Sequence, residues 1–373
     1  MQFRDLKKQY QVLKDDINKE VTKVMNDANF IMGKQVKDLE KELAEYVGVK
    51  HCLTCGNGTD ALQLAAMALD IKEGDAVFVP DFTFFASGEI VSLMGATPIF
   101  VDVDEATFNM SPESLEDAIK YVKTSGEYNL KAIIAVDLFG LPANYPKIKE
   151  IAKKYDMHLI EDGAQGFGGE INGEKACSFG DISTTSFFPA KPLGCYGDGG
   201  AVFTNNDEWA RLIDSYRVHG KGDNKYDNVR IGLNSRLDTI QAAVLSIKLK
   251  AFKEYEIKVV NDVANKYTNA LSHIISTPHI PTGFMSSWAQ YTLKLSSKKD
   301  RDNMQEALKA AGIPSMIYYP KPMHKQEAFE ISEHYESCPV TDKLCDTVLS
   351  LPMHPYMEDE DIDAVVAAIK SIL

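Results

Sequence analysis

Lys191 stands in a segment whose residue types could hold one amine at the rim of a binding site. Pro189 and Pro192 flank the Ala190–Lys191 dipeptide, and glycines follow at positions 194, 197, 199 and 200. Proline restricts the backbone and removes an N–H donor, whereas glycine permits turns and the close approach of a ligand. Partial burial would let such an amine lose its proton and act as a nucleophile. An ordinary solvated lysine is the alternative, but the neighbouring residues favour a catalytic amine.

Another segment supplies a charge that would complement such a lysine. An aldehyde cofactor bound through a lysine also needs an anion at its pyridine nitrogen, a flat side chain over its ring and donors for its phosphate. Asp162 precedes Lys191 in the chain and could hold the protonated nitrogen. A charge pair at 4 Å is worth roughly 4 kcal/mol at an effective dielectric constant near 20. Taken alone, Asp162 could instead cap a helix that follows a strand.

A candidate phosphate seat lies earlier in the chain. The Gly56-Asn57-Gly58 turn follows a short predicted strand and leads into a helix that begins near Thr59 or Asp60. The first N–H groups of a helix have no acceptor within the helix and therefore favour an anion. A Gly-Asn-Gly turn by itself is more often only a tight turn.

The predicted elements would bring these segments to one edge of a sheet. Strand-like and helix-like segments alternate through this part of the chain, which is typical of a mostly parallel sheet covered by helices on both faces. Phe84, Asp162, Gln165 and Lys191 each follow the end of a predicted strand, where open α/β sheets bind ligands. The expected strands are Ala76–Val79, Thr97–Val103, Leu130–Val136, His158–Ile160, Ile182–Phe187 and Ala201–Thr204.

The remaining segments predict a second, smaller unit. Two helices joined by a loop at Asn26–Gly33 are expected over Asp16–Tyr46, before the sheet. A long helical pattern from Ile247 to about Ile275 leads into an α+β remainder. We therefore predict a large domain over residues 1–250, with the N-terminal helices, and a small C-terminal α+β domain over 251–373. The elements expected in the small domain are a strand at Ala289–Leu295, a helix at Asp300–Ala311, an extended segment at Ile317–Pro320 and a helix at Asp359–Ile372.

Composition limits the classes of function. The chain of 373 residues has a net charge of −14, so binding to nucleic acid is not expected. No apolar run approaches the length of a membrane span, and the N-terminal residues do not resemble a signal peptide, so we expect a soluble, cytoplasmic protein. Neither G-x-G-x-x-G after an early strand nor G-x-x-x-x-G-K-[ST] occurs, which argues against a nicotinamide dehydrogenase and a P-loop enzyme.

The cysteines do not indicate a metal or redox site. Six cysteines are sparse for a chain of this length, so no disulfide framework is expected. Cys52 and Cys55 form a C-x-x-C pair, but zinc would require two further ligands at similarly tight spacing. A thioredoxin-like site would require the pair to open a helix in a small domain. We expect no bound metal.

Four motifs in sequence order resemble one enzyme family. Together they are similar to the sugar-nucleotide aminotransferases of the DegT/DnrJ/StrS type, and the resemblance covers nearly the whole chain. It implies the aspartate-aminotransferase-like fold of pyridoxal-phosphate enzymes, known as fold type I, and a homodimer whose subunits share each active site. The motifs are Cys55–Leu62 (CGNGTDAL), Glu161–Gln165 (EDGAQ), Ser186–Lys191 (SFFPAK) with Gly197–Gly200 (GDGG), and Gly232–Ala243 (GLNSRLDTIQAA).

The resemblance also assigns a role to individual residues. Lys191 would carry pyridoxal 5′-phosphate covalently, and Asp162 would pair with its pyridine nitrogen. Gln165 would lie near the ring hydroxyl, and Phe84 would stack on the ring. The expected phosphate contacts are Gly58, Thr59, Ser186 and the partner subunit's Asn234.

The same resemblance implies the reaction and its substrates. L-Glutamate would supply an amino group for a keto sugar nucleotide, and Lys191 would move the proton as general base and acid. Asn234–Asp238 resembles the branch that aminates C3, because C4-aminating relatives more often carry tyrosine at the position of Ser235. Ser186–Gly200 and Leu351–Tyr356 are most similar to enzymes that aminate UDP-2-acetamido-2-deoxy-3-oxo-glucuronate, for surface polysaccharide such as lipopolysaccharide O-antigen.

Three residues are candidates for substrate binding. Arg236 could hold the sugar carboxylate, since a guanidinium can bind a carboxylate through two hydrogen bonds. An ion pair of Arg236 with Asp238 at a helix start is an equal alternative. Tyr319 and His324 are candidates in Ile317–His324, where relatives usually carry histidine at the position of Tyr318. Tyrosine can donate a hydrogen bond but cannot become a cation.

Other functions remain as alternatives. One is a C4 aminotransferase acting on a UDP-4-keto-6-deoxy-N-acetylhexosamine, and another is a C3 aminotransferase acting on a dTDP-3-keto-6-deoxyhexose. A carbon–sulfur or aldol-type pyridoxal enzyme of the same fold is a third, although no cysteine near the C-terminus has an evident activating neighbour. A catalytically inactive regulator that binds the cofactor is the last, and the presence of Asp162, Ser186 and Lys191 together argues against it.

Overall fold

The computed structural model describes residues 1–224, 226–329 and 338–373. Its helices are α1 (Leu6–Asp27), α2 (Lys34–Val47), α3 (Gly58–Ala68), α4 (Ala86–Leu93), α5 (Pro112–Ser125), α6 (Tyr145–Tyr155), α7 (Asp207–Tyr216), α8 (Thr239–Ala251), α9 (Ile257–Leu271), α10 (Lys298–Ala310), α11 (Pro339–Thr347) and α12 (Asp359–Ile372). Its strands are β1 (His51–Cys55), β2 (Asp75–Pro80), β3 (Thr97–Val101), β4 (Asn129–Val136), β5 (His158–Asp162), β6 (Glu170–Ile171), β7 (Glu174–Lys175), β8 (Ile182–Ser186), β9 (Gly200–Thr204), β10 (Phe284–Met285), β11 (Tyr291–Lys294) and β12 (Val348–Leu351).

A seven-stranded sheet with the order β1-β9-β8-β5-β4-β2-β3 carries the N-terminal part of the fold. The neighbouring pairs from β8 to β3 are parallel, whereas β9 is antiparallel to both β8 and β1. Alternate side chains of a strand enter different cores: Val77 and Val79 pack with α3, α4 and α7, whereas Ala76 and Phe78 pack with α5 and α6. The expected mostly parallel sheet, covered on both faces, is confirmed.

The helix α1 begins earlier than the sequence pattern indicated. It starts at Leu6 instead of near Asp16, because the Asp5 carboxylate accepts a hydrogen bond from the backbone N–H of Lys8 at 2.8 Å and caps the helix. This cap brings the first residues of the chain into the packed structure. The short hairpin β6–β7, which pairs with β10, was not predicted.

A separate core forms in the C-terminal part of the chain. The antiparallel pair β11–β12 packs with α9, α10 and α12, and the buried residues of this core lie between Val260 and Ile369. Helix α8, a π turn at Phe252–Glu256 and α9 follow one another without a break, so the boundary expected near residue 250 falls at the end of α8. The division into two domains stays a prediction.

None of the described helices combines the length and the apolar character that a membrane crossing requires.

Two buried carboxyl groups meet beside the ends of β4 and β5. Glu161 accepts hydrogen bonds from the Ser183 hydroxyl at 2.8 Å and the backbone N–H of Phe179 at 2.7 Å. Asp137 Oδ1 accepts from the Tyr145 hydroxyl at 2.8 Å, but Asp137 Oδ2 accepts from no described residue. Burial, and then the charge of Glu161, raise the pKa of Asp137 well above its usual value. Burial also raises the pKa of Glu161, but its hydrogen bonds oppose that shift, so Asp137 is the member of the pair that holds a proton more readily.

This proton makes stability depend on pH. The folded protein binds a proton at Asp137 that the unfolded chain releases near pH 4, so raising the pH through the raised pKa should lower the free energy of unfolding. The loss should be about 1.4 kcal/mol for each unit by which the pKa is raised. Asp137→Asn cannot ionise, so its unfolding free energy should fall less between about pH 5 and pH 8 than that of the wild type. Urea unfolding checks this, and equal pH dependence of both proteins would contradict it.

Candidate active site

A cavity of about 490 Å³ lies at the carboxyl ends of the parallel strands. Most of the residues singled out in the sequence line it, although they come from five separate segments of the chain. Asn234, Arg236 and His324 are not among its lining residues. The predicted residues that the structure does bring together are Gly58, Thr59, Phe84, Asp162, Gln165, Ser186, Lys191 and Tyr319.

The start of α3 forms one side of the cavity and fits a phosphate. The Asn57 side chain accepts a hydrogen bond from the backbone N–H of Asp60 at 2.8 Å and caps the helix. The N–H groups of Gly58 and Thr59, at the beginning of the helix, have no acceptor within it. A Cβ atom on Gly58 would lie 2.7 Å from Cβ of Ser186, so only glycine lets the helix start approach the end of β8.

Asp162 ends β5 and is held by two donors. Its carboxylate accepts hydrogen bonds from the Ser87 hydroxyl at 2.8 Å and from the backbone N–H of Ala164 at 3.2 Å. Burial raises the pKa of Asp162, whereas these two hydrogen bonds and the charge of Lys191 oppose that shift. A cation that reached this carboxylate would offset the remaining cost of burying it. Ser87 was missed in the sequence, where nothing distinguishes it from other helical serines.

Lys191 follows β8 on the loop that its neighbours predicted to be stiff. Its backbone N–H donates to the Phe188 carbonyl at 2.9 Å, and the Arg4 guanidinium donates to the Lys191 carbonyl at 2.9 Å. A side chain on Gly194 would begin 2.5 Å from the Phe188 carbonyl oxygen, so the loop can close only over glycine. Burial lowers the pKa of the Lys191 amine, Asp162 opposes this shift and Arg4 adds to it.

Gln165, Tyr319 and Phe84 stand on the other side of the cavity. The Gln165 amide accepts from the backbone N–H of Phe139 at 2.8 Å and donates to the Tyr319 hydroxyl at 3.0 Å. The Phe84 ring is 55% exposed, and its centroid lies 6.4 Å from that of Tyr319. Gln290, which also lines the cavity, has a buried amide oxygen that accepts no hydrogen bond from the described part of the chain. The sequence carried no signal for Gln290.

Asn234 and Arg236 lie outside this cavity. Asn234 is exposed, and the Arg236 guanidinium donates to its side-chain oxygen. The described residues contain no ion pair between Arg236 and Asp238, which was the alternative considered for this arginine. Ser235, between them, is buried and accepts from the backbone N–H of Gly56 at 2.9 Å.

His324 is held against a buried carboxylate. Its ring nitrogen Nδ1 lies 2.7 Å from Asp81 Oδ2, and its backbone N–H donates to Asp81 Oδ1 at 2.8 Å. The hydrogen bond with Asp81 raises the pKa of His324. Cys338 brings a third possible ligand atom within 4.8 Å of these groups, but the hydrogen bonds to His324 already engage both Asp81 oxygens. His324 therefore has Asp81 as a hydrogen-bond partner, and it is not among the residues that line the cavity.

The residues that line the cavity fit pyridoxal 5′-phosphate. A helix start suits the phosphate, a buried carboxylate suits a protonated pyridine nitrogen, and an amine with a lowered pKa suits a covalent bond to an aldehyde. The six cysteines are buried and free, and burial raises the pKa of Cys55 to about 12, which disfavours a thiolate. The cavity therefore suits amine chemistry and offers no reactive thiol.

Known proteins resemble the whole chain. A family model described as the DegT/DnrJ/EryC1/StrS aminotransferase family matches residues 11–370. The chain is 44% identical over 370 residues to UDP-2-acetamido-2-deoxy-3-oxo-D-glucuronate aminotransferase of Pseudomonas aeruginosa, covering 99% of each chain. It is 41% identical over 374 residues to UDP-N-acetyl-3-dehydro-alpha-D-glucosamine 3-aminotransferase of Acidithiobacillus ferrooxidans, covering 99% of this chain and 97% of the relative.

Solved structures agree with these relatives. A DegT DnrJ EryC1 StrS aminotransferase from Brucella abortus superposes with a TM-score of 0.97 at 46% identity, covering 100% of this chain and 99% of the other. NtdA from Bacillus subtilis, solved with the bound cofactor PMP, superposes with a TM-score of 0.88 at 28% identity, covering 96% of this chain and 82% of the other. The predicted fold, cofactor and reaction class are confirmed. The chain belongs to the DegT/DnrJ/EryC1/StrS aminotransferase family and is a pyridoxal-phosphate-dependent sugar-nucleotide aminotransferase.

Proposed function

We propose that the protein transfers an amino group from L-glutamate to C3 of UDP-2-acetamido-2-deoxy-3-oxo-glucuronate, in the cytoplasm, for the synthesis of a surface polysaccharide. The observation that carries the aminotransferase chemistry is the presence of the half-buried Lys191 and the buried Asp162 carboxylate in one cavity beside the start of α3. C3 is supported by the two relatives described above, both of which are named for 3-oxo or 3-dehydro sugars. The presence of a carboxylate on the sugar is supported by the first relative, which is named for a glucuronate, and by Arg236, whose guanidinium could bind it.

Each residue of the cavity has a part in this reaction. Pyridoxal phosphate, when bound, supplies an electron sink on which an amino group can be exchanged. Gly58, Thr59 and Ser186 would hold its phosphate. Asp162 would hold its ring nitrogen, since Ser87 and Ala164 already orient the carboxylate. Gln165 would lie near the ring hydroxyl, and Phe84 would cover the ring.

Lys191 would also move the proton. Because burial lowers the pKa of its amine, a larger fraction of Lys191 is neutral near pH 7 than of an exposed lysine. A neutral amine can accept a proton from the carbon of the amino donor, and the resulting ammonium can return a proton to the sugar carbon. The Pro189–Pro192 segment restricts the backbone that carries this side chain, so the lysine starts from one place at the rim of the cavity.

This assignment predicts a spectral change that reports on both the lysine and the sugar. Protein loaded with pyridoxal phosphate should absorb visible light. UDP-2-acetamido-3-amino-2,3-dideoxy-glucuronate should bleach that band in the reverse reaction, and a UDP-4-amino-6-deoxy sugar should not. Lys191→Ala should lack the band and lose steady-state amination by at least about 10³-fold, because the covalent bond and the proton acceptor are both removed. Bleaching by the 4-amino sugar alone would overturn the assignment to C3, and turnover by Lys191→Ala would overturn the role of Lys191.

The substrate carboxylate is the second part of the proposal. Arg236 offers a planar guanidinium that can bind a carboxylate through two charge-assisted hydrogen bonds. The relative from Acidithiobacillus ferrooxidans is named for a sugar without this carboxylate, so a neutral 3-oxo-N-acetylglucosamine nucleotide is the second candidate substrate. The two candidates differ at C6, which is a carboxylate in the uronate and a hydroxymethyl group in the glucosamine derivative, so Arg236 is the residue to test.

Arg236→Ala should therefore discriminate between the two sugars. We expect kcat/KM for the uronate to fall roughly 100-fold, since a charge-assisted pair is worth about 2–3 kcal/mol, and kcat/KM for the neutral sugar to change less than about threefold. Arg236→Lys should recover only part of the loss because an ammonium lacks the planar pair of donors. Steady-state kinetics with both sugars measure this. Equal losses for the two sugars would remove Arg236 from carboxylate recognition.

We further infer that two copies of the chain share each active site. Asn234 and Arg236 lie outside the cavity of their own subunit, next to a segment with unusually exposed apolar side chains. Tyr226 is 87% exposed, Ile231 89% and Val229 54%. An exposed apolar surface of this kind is typical of a protein interface. A second copy that covered it could bring the partner subunit's Asn234 to the phosphate.

Disruption of this surface should weaken both association and cofactor binding. Ile231→Asp should shift the protein to a monomer in sedimentation velocity, because the variant would bury a charge at the interface. Its dissociation constant for pyridoxal phosphate should rise at least about tenfold, since a phosphate contact from the partner would be lost. Leu93→Asp is the matched control, because Leu93 is 62% exposed at the end of α4. A dimeric Ile231→Asp variant, or a monomer with unchanged cofactor affinity, would contradict the shared site.

A further inference from the structure

We propose that Arg4 is a positioning residue for Lys191: its guanidinium holds the backbone of the Lys191 loop, and its charge acts on the Lys191 amine. This inference rests on the proposed role of Lys191 in binding the cofactor. Arg4 does not line the cavity and would touch neither substrate nor cofactor.

The Lys191 loop depends on an external donor. Arg4 Nη2 lies 2.9 Å from the Lys191 carbonyl oxygen and 3.5 Å from the Pro192 carbonyl oxygen. The two carbonyls lie outside the strands of the sheet, and Pro192 has no N–H group of its own to offer the loop. Backbone polar groups in a packed region require partners, and here one side chain from a distant part of the chain serves both carbonyls.

Arg4 itself is fixed from both sides. The Phe3 carbonyl accepts a hydrogen bond from the Met353 N–H at 3.2 Å, just after β12, and Asp5 caps α1. The Phe3 ring lies 6.3 Å from the ring of Tyr318, which lines the cavity. The guanidinium is therefore carried by a short segment that joins the C-terminal core to the Lys191 loop.

The charged groups that face Arg4 come from several elements. Glu256, in the π turn after α8, is 3% exposed and accepts hydrogen bonds from Gln9 at 2.9 Å and from the Tyr356 hydroxyl at 2.6 Å. Its charge opposes the burial that lowers the pKa of Arg4 to about 10. The other titratable groups near Arg4 are Lys248 on α8, His354 after β12 and Asp5 before α1. Burial lowers the pKa of Lys248 to about 8 and the pKa of His354 to about 4.

Arg4 consequently stays charged near pH 7, while His354 stays neutral. Two charges then act on the pKa of the Lys191 amine in opposite directions: Asp162 raises it and Arg4 lowers it. Asp162 acts from inside the cavity, and Arg4 acts through the backbone side of the loop. A simple structural tether would hold the loop without this effect on the amine.

Four variants distinguish a role of Arg4 in positioning Lys191 from a role in the stability of the fold alone. Arg4→Met removes the donors and the charge, Arg4→Gln keeps an N–H donor without the charge, and Arg4→Lys keeps the charge. Arg301→Met is the matched control. Arg301 is a buried arginine that likewise donates to a backbone carbonyl, that of Cys345 at 3.2 Å, but it belongs to the C-terminal core, whereas Arg4 is half-buried.

The first measurement requires no cofactor. Competitive acetylation of the cofactor-free protein, followed by mass spectrometry, gives the pH at which half of Lys191 is deprotonated. Arg4→Met and Arg4→Gln should raise this midpoint by about half a pH unit, a threefold change in proton affinity, because a nearby positive charge has been removed. Arg4→Lys and Arg301→Met should match the wild type. An unchanged midpoint in Arg4→Gln would overturn the electrostatic part of the inference. Arg4→Gln alone is sufficient for this test if Arg4→Met does not fold.

The second measurement uses the loaded enzyme. Arg4→Met should lower kcat about tenfold and change KM for the amino donor less than twofold, because the loop is displaced while the donor contacts remain. Arg4→Lys should recover part of kcat. Equal losses of kcat in Arg4→Met and Arg301→Met would reduce Arg4 to a structural residue. Absence of a visible band in the loaded wild type would overturn the proposed function, and the acetylation midpoints would still decide the role of Arg4.

Discussion

The structure depends on the placement of a half-buried lysine and a buried carboxylate at the same edge of the sheet. Lys191 follows β8 and Asp162 ends β5, and these strands are parallel neighbours, so both side chains reach one cavity. Removing either charge from water is costly, and burial shifts the two pKa values in the directions that weaken both charges. The protein thus holds a site that is incomplete without a ligand able to bond the amine and present a cation to the carboxylate.

Much of the cavity was predictable because its residues follow strand ends. Gly58, Asp162, Ser186 and Lys191 occur in motifs whose glycines and prolines reveal the local backbone, and parallel topology then fixes their common location. The boundaries of elements were less certain. α1 begins at Leu6 because one carboxylate caps it, and the hydrophobic pattern used to locate the helix does not report such a cap.

The residues that the sequence did not reveal act over long separations. Ser87 contacts Asp162 across 75 residues and Arg4 contacts Lys191 across 187, and neither has a local pattern that would identify its partner. His324 shows that a residue type alone does not place a side chain. It was a candidate for the sugar site, but its ring and its backbone N–H both bind Asp81, which makes a packing role sufficient to explain it.

Ser235 contacts both the turn before α3 and the first turn of that helix. It was noted because C4-aminating relatives more often carry tyrosine there. In the structure the residue is 1% exposed, and its hydroxyl accepts from the Gly56 N–H at 2.9 Å and donates to the Asp60 carboxylate at 2.6 Å. A tyrosine ring could not occupy this space without moving the turn before α3. The position proposed to distinguish the branches therefore also holds the turn before α3.

The contact of Phe3 with Met353 has a consequence for the order of folding. These residues lie near opposite ends of the chain, so their hydrogen bond closes a very long loop, and such contacts form late because the loss of chain entropy precedes the gain in energy. Phe3 immediately precedes Arg4, so we infer that this late contact also completes the placement of Arg4 at the Lys191 carbonyl. The sheet and its helices can therefore form first, and the Lys191 loop acquires its final shape only in the last stage of folding, after the C-terminal segment has been synthesised.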